Sequence, residues 1–510
     1  MVKVQVKWQG KKFDVDVDTT QPAEVFKTQL YSLTSVAPER QRILVKGGQL
    51  KDDTPMGSLG LKENAVLMMM GTVGELPKPP PEQTKFVEDM TDNEVAQALA
   101  IPAGLTNLGN TCYMNATLQC LKAVPELKQA LDDFQPPAVS TSASASASTD
   151  NKRSLVLSLR SLFTQLNESG EGVPPMVFLH VLRQLFPKFA EQDRQSGGFR
   201  QQDAEECWNE LLTTLDLALQ PSDASPSVVE RYMSGQMQTT WSTAEAPEEP
   251  STVHHERFRK LDCHIDKSVN YLSQGIAKGL EQKIEKRSDT LGRNAEYTAV
   301  SKIARLPEYL TVAYNRFFWK ASESVEAKIV KSVKFPLDLD VSEFCTPELQ
   351  QKMRPVKQHV RNLEDRKAAE RKAAAKRPRI DGSSDGSSDG AQASASVSSE
   401  KQEDAAPFVL DPELKADVGC NPSGMYELVG LVTHIGRTAN SGHYIGWVRK
   451  EKGVGGKEPE GKGVPETRHW WYKFDDDDVS MVTDEEILRL CGGGDWHTAY
   501  VTLYRAKKLE

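Results

Sequence analysis

The sequence predicts an α+β protein with two separate cores, one small and one large. Three observations carry this. The first 74 residues hold short runs of alternating apolar and polar side chains around one helical stretch. A proline-bearing segment with Pro77, Pro79, Pro80 and Pro81 then interrupts all periodicity. The long remainder shows helical spacing near residue 112 and strand-like runs beyond residue 425. A length of 510 residues suits two to four domains, at roughly 150 residues each.

Val4, Val6 and Trp8 alternate with polar residues, as do Phe13, Val15 and Val17, and the turn-like Gln9-Gly10-Lys11 lies between them. This is a hairpin pattern. A helix is expected over 22–34, with Val25, Phe26, Leu30 and Leu33 on one face. Strands follow over 42–46 and 65–70, with a turn at Gly47-Gly48. The order ββαββ in a 1–74 domain predicts a β-grasp fold. A linker is expected over 75–101, closed by a short helix at Asp92–Ala100, and a large domain over 102–507. Within the latter, 139–150, 220–227, 244–251 and about 356–406 read as disordered insertions, and 451–466 as a soft hairpin tip. The basic run 352–379 reads as solvated linker or, through Lys376-Arg377-Pro378-Arg379, as a nuclear import signal.

Lysine and arginine total 63 against 72 acidic residues, a net charge of −9. That argues against nucleic acid as the main partner, because phosphate binding needs a basic face. No apolar run approaches the ~18 residues of a membrane span, and the charged, alternating N-terminus is no signal peptide. Seven cysteines are scattered, with no Cys-x-x-Cys pair. The expectations are a reducing intracellular compartment, cytoplasmic and nuclear, with no disulfide framework, metal or cofactor, and a monomer when free.

The chemistry centres on Cys112. Gly104 and Gly109 permit tight turns before it, and Met114, Leu118, Leu121 and Val124 follow at helical spacing. The cysteine then starts a helix, where unpaired N–H groups favour a thiolate. The bland alternative is a buried cysteine acting as a small hydrophobe, the reading kept for Cys120. Asn107 on the preceding turn can donate its amide to an oxyanion, beside the backbone N–H of Cys112. His443 opens a strand-like run after the small loop 436–442, whereas its rival His434 sits inside the preceding strand. Asp475, first of the four aspartates 475–478, ends a third strand and can accept from Nδ1–H of His443. As a bare charge run the four would be a solvated turn.

These segments resemble known families. Residues 43–52, Ile-Leu-Val-Lys-Gly-Gly-Gln-Leu-Lys-Asp, resemble the central strand and turn of ubiquitin-like domains. The resemblance implies an exposed docking patch of Leu44, Leu67 and Met69; the alternative is that all three are core. The domain lacks a terminal Gly-Gly and so reads as a permanent module. Gly-Leu-Thr-Asn-Leu-Gly-Asn-Thr-Cys-Tyr-Met-Asn (104–115), Gln-Gln-Asp-Ala-Glu-Glu (201–206) and Ser-Gly-His-Tyr (441–444) with Trp-Tyr-Lys-Phe-Asp-Asp (471–476) resemble, in order, the cysteine, glutamine and histidine boxes of ubiquitin-specific proteases. That family implies a papain-like catalytic domain with helical thumb, palm and antiparallel-sheet fingers. By resemblance Cys112 is the nucleophile, His443 the base and Asp475 the orienting acid. Asn107 and Asp476 serve the oxyanion site, and Gln201, Gln202, Asp203, Gly442 and Tyr444 contact the ubiquitin tail.

Over its whole length the chain is similar to the proteasome-associated members of that family. This implies a thiol-dependent deubiquitinase cutting after ubiquitin's C-terminal glycine without a cofactor. It also implies ubiquitin conjugates and the 26S proteasome regulatory particle as partners, and activation there. Two surface loops, about 318–327 and 436–442, would lie over the cleft in the free state. The alternatives are a weakly active proteasome-bound scaffold and an ordinary papain-type peptidase.

Overall fold

The structure, a computed structural model, describes all residues except 47, 72–100, 137–146, 195–196, 222–224, 321–324, 376–408, 439–440, 452–467, 495 and 510. The chain divides into two compact units, Met1–Phe86 and Val87–Glu510.

The first unit follows the alternation read from its sequence. Strands β1 (Val2–Trp8) and β2 (Lys11–Val17) pair antiparallel, and helix α1 (Ala23–Thr34) follows. Strands β3 (Arg42–Val45), β4 (Gly48–Gln49) and β5 (Ala65–Met70) complete a sheet ordered β2-β1-β5-β3-β4. The β1–β5 pair at its centre is parallel, which makes this a β-grasp sheet. Two expectations need correction. On α1 the buried face is Ala23, Phe26, Lys27, Leu30 and Thr34, while Val25 and Leu33 are exposed. On β5 it is Leu67 and Met69 that are buried, packed with Val4, Val6, Phe26 and Ile43. Of the predicted patch only Leu44 faces outward, and the exposed apolar stripe is Leu44, Val66, Met68 and Met70. Side chains along a strand alternate faces, so a reading displaced by one residue selects the wrong set.

In the second unit helices come first: α2 (Cys112–Lys122), α3 (Pro125–Asp133), α4 (Ala147–Glu168), α5 (Met176–Leu185), α6 (Ala204–Ala218) and α7 (Val228–Met233). A four-stranded sheet ordered β7-β6-β10-β9 uses β6 (Gly235–Ser242), β7 (Thr252–Phe258), β9 (Glu281–Arg287) and β10 (Asn294–Arg305). The main sheet runs β18-β17-β16-β15-β19-β11-β8, with β14 (Asp338–Asp340) paired to β15. Its strands are β8 (Leu261–His264), β11 (Tyr309–Asn315), β15 (Met425–Thr438), β16 (Ser441–Arg449), β17 (Trp470–Asp475), β18 (Asp478–Thr483) and β19 (Thr498–Ala506). Strands β12 (Phe317–Lys320) and β13 (Val325–Lys328) form a separate hairpin.

Both faces of the main sheet are covered, which explains its nearly continuous apolar strands. Val429, Val432, Tyr444 and Val501 join the core around α2, with Leu118, Phe163 and Trp208. Leu428, Leu431, Ile445, Trp447 and Trp471 join the opposite core, with Ile276 of α8 (Leu272–Gly279) and Met353 of α9 (Pro347–Ala375). Helix α2 lies so close to β16 that a Cβ on Gly446 would meet Ala116 O at 3.1 Å.

Several segments read as disordered are structured where described. Helix α4 already begins at Ala147, and Ser227 is a buried cap of α7 whose hydroxyl also bonds Asp216. Within 244–251, Ala246 is buried and Glu249 accepts from Ser288 and Tyr297, at 2.6 Å each. Helix α9 carries the chain through 356–375 with Val356 and Val360 buried. Ser227, Ala246 with Glu249, and Val356 with Val360 anchor their polar stretches by burial or by side-chain hydrogen bonds. The expected helix at 92–100, the Asp381–Gly390 stretch and 376–379 lie outside the described residues. The loop expected over 436–442 is mostly hairpin: β15 runs to Thr438 and, past a bulge after Ile435, Thr438 pairs with Ser441.

Candidate active site

Cys112 is the first residue of α2 and is buried. Gly109 and Asn110 ahead of it have φ of +94° and +55°, the left-handed region that a tight turn needs. The turn is closed by Asn107, whose Oδ1 accepts from the N–H groups of Gly109 (2.9 Å) and Thr111 (3.2 Å). Thr111, the N-cap, makes no side-chain cap bond. The helix start therefore keeps unpaired donors next to the thiol, a locally positive environment.

His443 reaches this site from β16. Its Nε2 lies 2.6 Å from Asp475 Oδ1, the last residue of the neighbouring β17. A hydrogen bond with Cys112 is the largest influence on the imidazole. That bond and Asp475 outweigh burial and raise the pKa to about 9. The expected contact through Nδ1 is thus corrected: the acid meets Nε2, which leaves Nδ1 for the thiol. The ring is placed between a helix on one side and a sheet neighbour on the other, and chain order alone does not say which nitrogen faces which. Burial raises the Asp475 carboxyl, but His443 and Lys473 outweigh it and the net shift is downward. Lys473 Nζ lies 2.9 Å from Asp475 Oδ2. Sequence reasoning passed over this lysine. The available signal was its place two residues before Asp475, on the same face of the strand.

Asp476 has a different task. Its backbone is left-handed, at φ +57°. Its carbonyl accepts from Leu105 N at 2.9 Å, and Gly104 lies so close that a Cβ there would be 2.5 Å from that oxygen. The carboxylate accepts from Asn107 Nδ2 on Oδ2 and from Asn115 Nδ2 on Oδ1, each at 2.8 Å. Asp477 and Asp478 are exposed, as a solvated turn requires.

The rival His434 is fully buried. Its Nε2 donates to Ser441 O at 3.1 Å, and Lys328 Nζ donates to its Nδ1 (3.0 Å) and carbonyl (2.7 Å). Burial, then the Lys328 charge, push its pKa down to about 3. It is a neutral strut that joins the β12–β13 hairpin to β15. Burial, then the nearby Arg316 charge, lower Lys328 to about 7.

Of the remaining predicted residues, Gly442 and Tyr444 flank His443 on β16. Gln201 and Gln202 are buried, and Gln201 Nε2 has no partner among the described residues. Asp203 caps α6 by accepting from Glu205 N (2.7 Å) and Glu206 N (3.1 Å), and it also accepts from Tyr500 Oη at 2.5 Å. Burial raises its pKa to about 6. Tyr444 is buried between the rings of His434 and Tyr500. Gly442 has φ +113°, and a Cβ there would fall 1.9 Å from Ile435 O. Among the described residues one grouping has metal-ligand spacing, His443, Asp475 and Asp476, and its ligand atoms already hold one another or the two asparagines.

Residues 103–504 match the family described as "Ubiquitin carboxyl-terminal hydrolase", and residues 2–74 match the "Ubiquitin family". The chain belongs to the ubiquitin carboxyl-terminal hydrolase family. It is 43% identical over 511 residues to ubiquitin carboxyl-terminal hydrolase 6 of Schizosaccharomyces pombe, with 100% of both chains covered. It is 40% identical over 515 residues to ubiquitin carboxyl-terminal hydrolase 7 of Arabidopsis thaliana, again covering 100% of both. It is 36% identical over 512 residues to ubiquitin carboxyl-terminal hydrolase 14 of Caenorhabditis elegans, covering 99% of this chain and 94% of that one. This hydrolase is a cysteine-type deubiquitinase with an N-terminal ubiquitin-like domain.

Proposed function

We propose that Cys112 cleaves the bond after ubiquitin's C-terminal glycine, and that the enzyme works docked on the 26S proteasome regulatory particle. The observation that carries the chemistry is the His443 ring, held by Asp475 on one nitrogen and in hydrogen-bonding reach of the Cys112 thiol. His443 takes the thiol proton, and the sulfur attacks the glycine carbonyl carbon. The oxyanion is met by the N–H of Cys112 and by Asn107 Nδ2, which Asp476 steadies. His443 then protonates the leaving lysine amine, and a thioester remains. Water, giving a proton to His443, attacks the thioester and frees ubiquitin and the thiol. Asp475 keeps the imidazole in the tautomer that presents Nδ1 to sulfur. No step calls for a cofactor.

Gln201, Gln202, Asp203, Gly442 and Tyr444 line the path of the ubiquitin tail in this reading. Gly442 enters this reading through its backbone, since the place of its missing Cβ is filled by Ile435 O of the same hairpin. Docking is assigned to the ubiquitin-like domain, through the exposed stripe Leu44, Val66, Met68 and Met70. Gating is assigned to the hairpins β12–β13 and β15–β16. Lys328 couples them through His434, and the second leads directly into His443. Proteasome binding would favour their open arrangement, and a reducing cytoplasm and nucleus suit the free thiols.

The test is labelling by ubiquitin with a C-terminal electrophile, with and without proteasome. One adduct at Cys112, lost in Cys112→Ser and formed faster on the proteasome, is expected. An adduct at Cys120 or Cys207 would overturn the nucleophile, and equal rates would overturn activation.

A further inference from the structure

We propose that Asn115 is a positioning residue for this reaction: acting through Asp476, it sets the orientation of the Asn107 amide that meets the oxyanion. The inference rests on Asn107 as oxyanion donor and goes beyond it. Asn115 lies three residues after Cys112, on the same side of α2. It is 2% exposed. Its Nδ2 is 2.8 Å from Asp476 Oδ1, 3.1 Å from Leu105 O and 3.4 Å from Thr106 O. One amide thus ties the nucleophile helix to the acid-bearing turn and to the segment that leads into Asn107.

The donors and acceptors form a chain with one free end. Asn107 Oδ1 is fixed by the N–H groups of Gly109 and Thr111, and one Nδ2 proton goes to Asp476 Oδ2. The second Nδ2 proton has no acceptor among the described residues and remains for an oxyanion. Asp476 can steady that amide only if its own carboxylate does not rotate, and Asn115 holds the other oxygen. Position 115 requires a neutral donor, since a carboxylate there would repel Asp476. The cost is visible: Asn115 Oδ1 is buried without a partner among the described residues. An apolar side chain would avoid that desolvation, so packing alone does not explain an asparagine here.

The test uses the full chain and a fluorogenic ubiquitin C-terminal amide, comparing Asn107→Ala, Asn115→Ala and the double variant. Asn115→Ala should lower kcat about tenfold, a part of the ~10²–10³ that loss of an oxyanion donor costs, with KM within about twofold. Alkylation of Cys112 by iodoacetamide forms no oxyanion and should stay within about twofold of the parent. Because Asn115 acts through Asn107, the double variant should be no worse than Asn107→Ala. Additive losses, a raised KM, or an equal loss of alkylation would overturn the inference, since each marks a merely structural residue. An unchanged kcat in Asn107→Ala would instead remove the oxyanion reading itself. Should Asn115→Ala fail to fold, the exchange Asn115→Asp with Asp476→Asn keeps a donor–acceptor contact between the two positions and an oxygen toward Asn107. Higher kcat in the exchange than in either single change supports the role; lower kcat overturns it.

Discussion

Removing the Lys473 charge gives a prediction whose sign follows from the geometry. Asp475 shares its carboxylate, with Oδ1 on His443 Nε2 at 2.6 Å and Oδ2 on Lys473 Nζ at 2.9 Å. Two such contacts in series put the cations roughly 7 Å apart, where unit charges repel by about 2 kcal/mol at an effective dielectric of ~20. Lys473 is 28% exposed and His443 33%. Solvent screening leaves about a third of that repulsion, equivalent to about half a pH unit. His443 lies near pH 9 with Cys112, Asp475 and Lys473 around it. In the proposed mechanism, loss of its proton removes the acid that releases the amine and sets the alkaline limb of kcat/KM. Lys473→Met removes a cation that opposes the imidazolium, so that limb should move up by about half a pH unit. Asp475→Asn removes the attracting charge and should move it down, with a large loss at the plateau. The assay is hydrolysis of a ubiquitin C-terminal amide from about pH 6 to about pH 10.5, a span that takes in the ordinary titration of both imidazole and thiol. Movement of both limbs in the same direction, or a Lys473→Met limb that stays in place, would refute the shared-carboxylate reasoning.

Gly442→Ala should lower kcat/KM at least about tenfold, because its Cβ would lie 1.9 Å from Ile435 O and 2.9 Å from His434 Nε2, and the backbone before His443 must shift. Steady-state kinetics check this, and parental activity would mean the hairpin relaxes freely. In residues 1–74 expressed alone, Leu67→Ala should cost about 2–4 kcal/mol in urea unfolding. Leu44→Ala should stay within about 0.5 kcal/mol; similar losses would contradict the burial of β5. Asp203→Ala should lower the stability of the catalytic unit by about 1–2 kcal/mol, whereas Asp203→Asn still caps α6 and should cost less. A rise in KM for both, with stability unchanged in Asp203→Asn, would separate a tail contact from the cap.

The β-grasp hairpin, the helix that opens at Cys112, and the strands that bear His443 and Asp475 are all legible in the order of residues. Each is a local property, written in the period of apolar residues and in glycines placed where the chain turns. The turn before Cys112 marked Asn107, and the resemblance of the boxes marked Asp476. Which imidazole nitrogen meets the acid, that Lys473 shares the carboxylate, and that Asn115 pins Asp476 across 361 positions of chain emerge once the chain is folded. Only packing decided that Leu67 and Met69 face inward. It also decided that polar stretches such as 244–251 and 356–375 are ordered, since buried anchors elsewhere in the chain hold them. The division has a physical cause. Periodicity and turn chemistry act over a few residues, whereas the direction of a side chain's hydrogen bonds depends on atoms that only the fold brings within about 3 Å.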